Sequence, residues 1–310
     1  MVNLKDFPAY AEDGYRQLMN YYTPVERVDG YYYKRDDYFS LGGLLGGKVR
    51  QCLSLVHHNL PDIRSRCSGG LATSAGLPSP QSCIMAGVAR YFGLQSAVAV
   101  FRYDNTVVDF NRINVSLAQK LGATIYGVDC PRKSSVDKAG RELARSLNYY
   151  HVDFGMAGTF VMDVVANQCN NIPDDVESIV IVAGSGFSAL GVALGAKKFD
   201  KNISTIYVVC LSNYFNKNKR QWYDVLDGNV KFKGDLVEIK SPIPYHRLYN
   251  PGNDFRFDLT YESKAHQWML NYIKPNGKTL FWVVGKREYN INYVEPINWH
   301  ELPPRKGLLF

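Results

Sequence analysis

The sequence lacks the features of several large protein classes. No stretch approaches eighteen uninterrupted apolar residues, and the opening residues, MVNLKDFPAY, lack the basic and apolar regions of a secretory signal. The six cysteines include no CxxC pair, and no histidine stands at zinc-ligand spacing from them. We therefore expect a cytoplasmic protein that does not enter the membrane, keeps its thiols reduced and holds no metal site.

What the sequence does have is enough apolar residues for a large core. The chain is 310 residues long, 46% of them hydrophobic and 21% charged, which is ordinary globular usage. This length suits one large α/β unit or two closely joined domains. The formal net charge of +7 favours an anionic ligand, such as a phosphate cofactor, an acidic substrate or nucleic acid, without choosing among them.

Apolar runs of strand length alternate with segments of helical period, the pattern of a parallel sheet covered by helices. Strands are predicted at Gly30 to Lys34, Ala97 to Phe101, Thr124 to Val128, Ser178 to Ala183, Tyr207 to Leu211 and Thr279 to Val284. Helices are predicted at Lys48 to His57, Ser82 to Phe92, Val107 to Leu121, Val136 to Leu147, Thr159 to Asn167 and Ser263 to Ile273, with another directly after Ser188. The sequence therefore predicts an α/β fold.

Lys48 follows two glycines at the predicted start of a helix. Small neighbours let a planar cofactor approach the backbone, and the positive end of the helix dipole lowers the cost of the neutral amine. Such a lysine is placed to act as a nucleophile. The alternative is that Gly46-Gly47 is a simple loop and Lys48 a solvated residue of the first turn.

A second glycine-rich turn favours the first interpretation. The predicted strand ending at Ala183 runs into the segment Gly184, Ser185, Gly186, Phe187 and Ser188. Backbone N–H groups at such a strand-to-helix turn bind phosphate, and the serine hydroxyls can add donors. A packing turn is one alternative. A dinucleotide fold is another, but no GxGxxG motif follows the first strand.

Together these segments resemble the fold type II enzymes that depend on pyridoxal 5′-phosphate (PLP), specifically the 1-aminocyclopropane-1-carboxylate (ACC) deaminase and D-cysteine desulfhydrase branch. The stretch KRDDYFSLGGLLGGKVR is similar to the family's KRDD strand and the glycine-rich turn before its Schiff-base lysine. Gly47 stands where the family usually has asparagine. The resemblance implies that Lys48 binds PLP and is catalytic, and that the Gly184 to Ser188 segment, Phe187 included, holds the cofactor phosphate.

Two further segments follow in the family's order. Ser79, Pro80 and Gln81 match a Ser-Asn-Gln segment that holds the substrate carboxylate, with Pro80 replacing the asparagine. TYESKA resembles the VYEGKS segment, which implies that Glu262 faces the cofactor's pyridine nitrogen and that Tyr261 is catalytic. By this resemblance Ser79, Gln81 and Tyr261 contact the substrate. Ordinary helix starts at both places are the alternative.

The resemblance also implies a two-domain organisation. Residues 1–51 and 154–310 would form a large PLP-binding domain, and residues 52–153 a small domain. Each would contain a twisted, mostly parallel sheet flanked by helices, and the protein would be a homodimer.

The reaction that the resemblance implies is cleavage of a bond at the α-carbon of a small amino-acid substrate, as in a deaminase or desulfhydrase. Pro80 leaves a decarboxylase as an alternative, because this segment would hold a carboxylate loosely or orient it for loss. The basic and aromatic segment around Lys217 to Arg220 suggests nucleic-acid binding, hence an amino-acid group attached to a base, as in bacteriophage DNA hypermodification. A solvated loop and a non-catalytic PLP-binding protein are further alternatives.

Overall fold

The computed structural model describes residues 2–103, 112–130, 132–212, 215, 232–245, 247–250, 257–286 and 295–303. The helices in these ranges are α1 (Glu12–Asn20), α2 (Gly47–Ser65), α3 (Gln81–Tyr91), α4 (Ile113–Lys120), α5 (Lys133–Leu147), α6 (Thr159–Asn167), α7 (Phe187–Lys198) and α8 (Glu262–Tyr272). The strands are β1 (Val25–Val28), β2 (Tyr31–Arg35), β3 (Ser40–Leu41), β4 (Leu44–Leu45), β5 (Gly70–Ala75), β6 (Gln95–Phe101), β7 (Thr124–Val128), β8 (Tyr150–Val152), β9 (Ser178–Ala183), β10 (Thr205–Cys210), β11 (Asp235–Lys240), β12 (Thr279–Val283) and β13 (Trp299–His300). None of the helices in the described ranges is long and apolar enough to cross a membrane.

The larger sheet has six strands in the order β1-β2-β12-β9-β10-β11. Only β1 is antiparallel to its neighbour, and the other adjacent pairs are parallel. Strands β9 and β12 are apolar runs that are almost wholly buried. Such runs are expected where helices cover both faces of a parallel sheet.

The smaller sheet has five parallel strands in the order β13-β7-β6-β5-β8. Its edge strand β13 pairs with β7, although the predicted division places residues 299–300 in the large domain. The exact division at residues 51 and 153 stays a prediction. Both sheets are parallel-rich and flanked by helices, which confirms the predicted fold class.

The loops that follow the carboxyl ends of four parallel strands meet between the two sheets. Two of these strands, β5 and β8, belong to the smaller sheet, and the other two, β9 and β12, belong to the larger. Ligand sites of open α/β sheets lie at this end of the strands. The topology therefore places the candidate site in the crevice between the sheets.

The predicted elements all fall on observed ones, with some differences in length. Helix α2 continues past the predicted end to Ser65 because Leu60 and Ile63 are buried in the core. Helix α4 begins at Ile113, and the predicted start near Val107 lies outside the described residues. Helix α1 and strands β1, β3, β4, β5, β8, β11 and β13 were not predicted.

Candidate active site

A pocket at the carboxyl ends of the strands collects most of the predicted site residues. It encloses about 830 Å³, open solvent at its mouth included. The predicted residues that line it are Lys48, Ser79, Gln81, Gly184, Ser185, Gly186, Ser188, Tyr261 and Glu262. Phe187 does not line the pocket and instead packs in the apolar core of the larger sheet.

Lys48 lies in the first turn of α2, where the backbone is held close to the end of β12. Gly47 N–H donates to Val284 O at 2.8 Å. Gly46 has φ +107°, and a Cβ on it would stand 2.8 Å from the Gly285 Cα. Glycine is therefore required at residue 46 for both its backbone angle and this close approach.

The Lys48 ammonium lies inside the pocket without a carboxylate partner among the described residues. Its Nζ donates to Gly155 O at 3.4 Å, a long contact. Burial lowers the pKa of Lys48 from its ordinary 10.5 to about 8. A sizeable fraction of the amine is consequently neutral, and nucleophilic, near neutral pH.

The KRDD stretch builds the floor under Lys48. The Asp36 carboxylate occupies the space that a side chain on Gly47 would need, so a larger residue at position 47 would require Asp36 to move. Asp36 Oδ1 accepts a 2.6 Å bond from Arg50 Nη1, and both side chains are 1% exposed. Lys34 Nζ donates to Thr23 O at 2.7 Å. The Asp36–Arg50 pair joins the end of β2 to α2, and the Lys34 bond holds β2 against the segment before β1.

The glycine-rich loop joins β9 to α7. Gly186 has φ +89°, and the ring of Phe215 fills the space that a Cβ there would occupy. Ser188 Oγ accepts a bond of 2.9 Å from Gln51 Nε2, which ties the loop to α2. The first N–H groups of a helix have no acceptor within the helix and carry its positive dipole end, so this turn suits a phosphate.

Glu262 begins α8 at the side of the pocket near the end of β12. Its carboxyl is 3% exposed, and Oε1 accepts a 3.1 Å bond from Gly285 N–H. Burial, and then the neighbouring Asp258, raises the pKa of the Glu262 carboxyl well above its ordinary 4.5. A buried carboxyl with a raised pKa suits the ring nitrogen of a pyridine, with which it can share a proton.

Tyr261 is held at the mouth of the pocket by three contacts. Its backbone N–H donates to Asp258 Oδ1 at 2.9 Å, and its hydroxyl and that of Tyr245 form a 2.8 Å hydrogen bond. A Cβ on Gly184 would be 3.2 Å from the Tyr261 ring, so the tyrosine stands directly over the loop. Tyr245 is in turn fixed through its carbonyl, which accepts a 3.1 Å bond from Lys264 Nζ.

Gln81 supports the pocket wall as the first residue of α3. Its Nε2 donates to Thr73 Oγ1 at 2.7 Å and to Asp153 O at 3.1 Å. Its Oε1 accepts a 2.9 Å bond from Gly155 N–H. The Gln81 amide therefore holds the backbone N–H of Gly155, the residue whose carbonyl oxygen contacts Lys48. Its predicted role, contact with the substrate carboxylate, stays a prediction.

Sequence reasoning missed the lining residues Asp258, Phe154, Gly155, Met156 and Lys286. The Asp258 carboxylate accepts hydrogen bonds from backbone N–H groups of its own turn, and the carbonyl oxygen of Gly155 contacts Lys48. Neither contribution leaves a motif in the sequence. The predicted nucleic-acid segment Lys217 to Arg220 lies outside the described residues, and no group of metal-ligating side chains is found within them.

Comparison with known proteins gives a consistent result. No protein-family model matches the sequence. The chain is similar to the O-seryl-dTMP PLP-dependent decarboxylase of Salmonella phage ViI, with 22% identity over 276 residues. These cover 79% of this chain and 62% of that protein, so the chain spans less than two thirds of the length of its curated relative.

Three solved structures show the same fold. An ACC deaminase homologue has a TM-score of 0.68 at 16% identity, over 91% of this chain and 93% of that one. A PLP-dependent aspartate racemase has a TM-score of 0.63 at 14% identity, over 94% of this chain and 97% of that one. Threonine deaminase isoform 2 from Solanum lycopersicum has a TM-score of 0.61 at 13% identity, over 93% of this chain and 90% of that one. The chain therefore has the fold of the type II PLP-dependent enzymes, as the sequence motifs predict.

Proposed function

We propose that this protein binds PLP, with the aldehyde carbon bonded to Lys48, the phosphate at the Gly184 to Ser188 turn and the ring nitrogen facing Glu262. The observation that supports this most strongly is the meeting of these three groups in one pocket. The bound cofactor supplies an electron sink for negative charge that develops at the α-carbon of an attached amino-acid group.

The chain's own residues have three tasks in this proposal. Lys48, with a pKa of about 8, gives up its place to the incoming amine and then carries a proton to or from the α-carbon. Glu262 holds a proton near the ring nitrogen, since burial favours its neutral form. Tyr261, fixed by Asp258 and Tyr245, orients the substrate at the mouth.

The reaction that we propose is decarboxylation of an amino-acid group carried by a nucleotide. The bond between the α-carbon and the carboxylate breaks, carbon dioxide leaves, and the α-carbon receives a proton that Lys48 can donate. Support comes from the similarity to the phage decarboxylase along 79% of this chain.

The segment expected to hold the carboxylate also supports this reaction. Pro80 has no N–H, and the Gln81 N–H is directed at Ser79 Oγ at 3.3 Å. The Gln81 amide is bonded to Thr73 and to backbone groups. A carboxylate with few donors is weakly solvated, and such a carboxylate is lost more readily.

Deamination or β-elimination is the second candidate. The overall similarity to the ACC deaminase homologue favours it, together with the Tyr261 and Glu262 pair that resembles that branch. The first step at Lys48 would be the same. The two candidates differ in which bond at the α-carbon is cleaved.

Product analysis separates the candidates. The PLP-loaded protein is incubated with O-seryl-dTMP, free or within DNA, and separately with D-cysteine, L-serine or ACC. We expect carbon dioxide and the corresponding amine from the nucleotide substrate. Keto acid and ammonia from the free amino acids, with no carbon dioxide from the nucleotide, would support the second candidate instead. A protein that takes up PLP but transforms neither substrate would leave a non-catalytic role.

The expected homodimer is tested separately, by the molecular mass that analytical ultracentrifugation gives for the protein in solution.

A further inference from the structure

A second cavity adjoins the first and is used by none of the steps above. It lies between the β3–β4 hairpin and helices α3 and α4, and encloses about 420 Å³, its mouth included. Leu45, Pro80, Ile84 and Lys286 line both cavities, so the two spaces adjoin each other. Pro80 belongs to the segment predicted to hold the substrate carboxylate, whereas the turn that would hold phosphate and Glu262 line only the first cavity, so the second cavity lies beside that segment.

The walls of the second cavity are apolar and enclosed. Leu44, Ile84 and Leu117 are each 4% exposed, and Ile113 is 1% exposed. These side chains would favour a flat, uncharged group over a charged one, because burial of an unpaired charge is costly. A pyrimidine ring meets this requirement.

The buried polar side chain of Asn114 interrupts the apolar wall. It is 2% exposed, donates from Nδ2 to Pro78 O at a long 3.3 Å and accepts from the Cys83 thiol, a weak donor. Replacement of these two weak hydrogen bonds of Asn114 by stronger ones to a ligand would be favourable. An amide offers one acceptor beside one donor, which matches the adjacent imide N–H and carbonyl of a thymine-type base.

A positive charge at the opening of the second cavity would suit a phosphate attached to the same ligand. Lys286 is exposed at the junction of the two cavities and carries a positive charge beside the opening. Enzymes that act on a base take it out of the stack into a pocket with apolar walls and polar groups that read its edge. A phosphate attached to a bound nucleoside would lie near a lysine at such an opening.

We infer that the second cavity is the subsite for the pyrimidine base of a nucleotide substrate, with Asn114 reading the imide edge and Lys286 facing the phosphate. This inference rests on the proposed function, since it identifies the part of the substrate beyond the amino-acid group. The substrate would then span both cavities, past Pro80.

The test compares two leucine variants of one helix region. Leu117→Phe fills the second cavity, whereas Leu121→Phe makes the same change in the same apolar core at a residue that does not line it. Asn114→Leu removes the edge contacts at nearly constant volume. Binding of thymidine 5′-monophosphate is measured by calorimetry on the PLP-loaded protein, and binding of free serine by the change in visible absorption.

We expect the affinity for thymidine 5′-monophosphate, relative to that for serine, to fall about tenfold or more in Leu117→Phe and in Asn114→Leu. Each variant removes one group of contacts with the base, and a tenfold loss corresponds to about 1.4 kcal/mol of binding free energy. It should stay at the wild-type ratio in Leu121→Phe. Equal ratios in all variants would overturn the inference, as would a wild-type protein that decarboxylates the nucleotide substrate but does not bind the monophosphate. A protein that binds the monophosphate in this pattern yet takes up no PLP would refute the proposed function and leave the subsite intact.

Discussion

Helix α2 carries two cations two residues apart, Arg50 fully buried and Lys48 half-buried, and they have opposite surroundings. Arg50 points to the floor, where Asp36 pairs with it at 2.6 Å. Lys48 points into the pocket, where its described contact is a carbonyl oxygen at 3.4 Å. A buried charge with a partner anchors the fold, whereas one without a partner has its pKa displaced and becomes reactive. One short sequence motif therefore supplies both the floor of the pocket and the lysine that we propose binds the cofactor.

The largest effect is expected on the floor side of this comparison. Asp36→Asn leaves the Arg50 charge buried and uncompensated, and we expect the free energy of unfolding to fall by about 3–5 kcal/mol. Denaturant titration measures this. The matched control is Glu177→Gln, which breaks an exposed ion pair with Lys278 and should cost less than about 1 kcal/mol. Similar losses in the two variants would contradict the distinction between floor and surface.

A second variant tests the buried carboxyl of the pocket. Glu262→Gln keeps the size of the side chain but cannot share a proton with a ring nitrogen. We expect kcat/KM to fall on the order of a hundredfold, with a change in the visible absorption of the bound cofactor. Glu26→Gln is the matched control, since Glu26 pairs with Arg35 and does not line the pocket. A loss of activity without a spectral change would indicate a merely structural role for Glu262.

The low pKa of Lys48 gives a pH-dependent prediction for the cofactor-free protein. The unfolded chain keeps this proton up to about pH 10.5, whereas the folded protein loses it near pH 8. Between these values the unfolded state binds more protons, so the free energy of unfolding rises with pH. We expect this contribution to be on the order of 2 kcal/mol. Denaturant titrations at several pH values should show this rise in the free energy of unfolding in the wild type and not in Lys48→Met. Identical pH profiles of the two proteins would contradict the assignment of the low pKa to Lys48.

The smallest effect concerns the mouth of the pocket. Tyr245→Phe removes the hydrogen bond to the Tyr261 hydroxyl, and we expect turnover to fall by a factor that corresponds to about 1 kcal/mol. Tyr249→Phe loses a hydrogen bond to Gln267 on α8, at a residue that does not line the pocket. It should change stability by a similar amount and leave turnover unchanged. Equal turnover in the two variants would show that the Tyr245 bond does not orient Tyr261.

Much of the fold is predictable from the sequence because its central elements are strongly patterned. The bounds predicted for β7, β9 and α6 agree with the structure, since each is an apolar run between clear turn signals. Strand β5 was missed because GLATSA contains one large apolar residue, although all six residues are buried. Strand β13 has two residues and depends on pairing with β7, which local sequence does not encode.

The site was predictable to the extent that its residues stand in motifs. Lys48, the Gly184 turn and Glu262 were found this way, and the structure brings them to one pocket. Asp258, Gly155 and the wall formed by Asn114 depend on long-range packing. Backbone carbonyls and single polar side chains leave no local signal, so these contributions required the fold.

The central claim, that Lys48 carries the cofactor, is tested most directly by reduction of the PLP-loaded protein with borohydride, followed by peptide mass spectrometry. The expected result is one phosphopyridoxyl group, attached to Lys48, and loss of the visible absorption band. The same treatment of Lys48→Met should leave the protein unmodified at this peptide. Modification of another lysine, or a wild-type protein that neither absorbs in the visible nor takes up PLP, would contradict the claim.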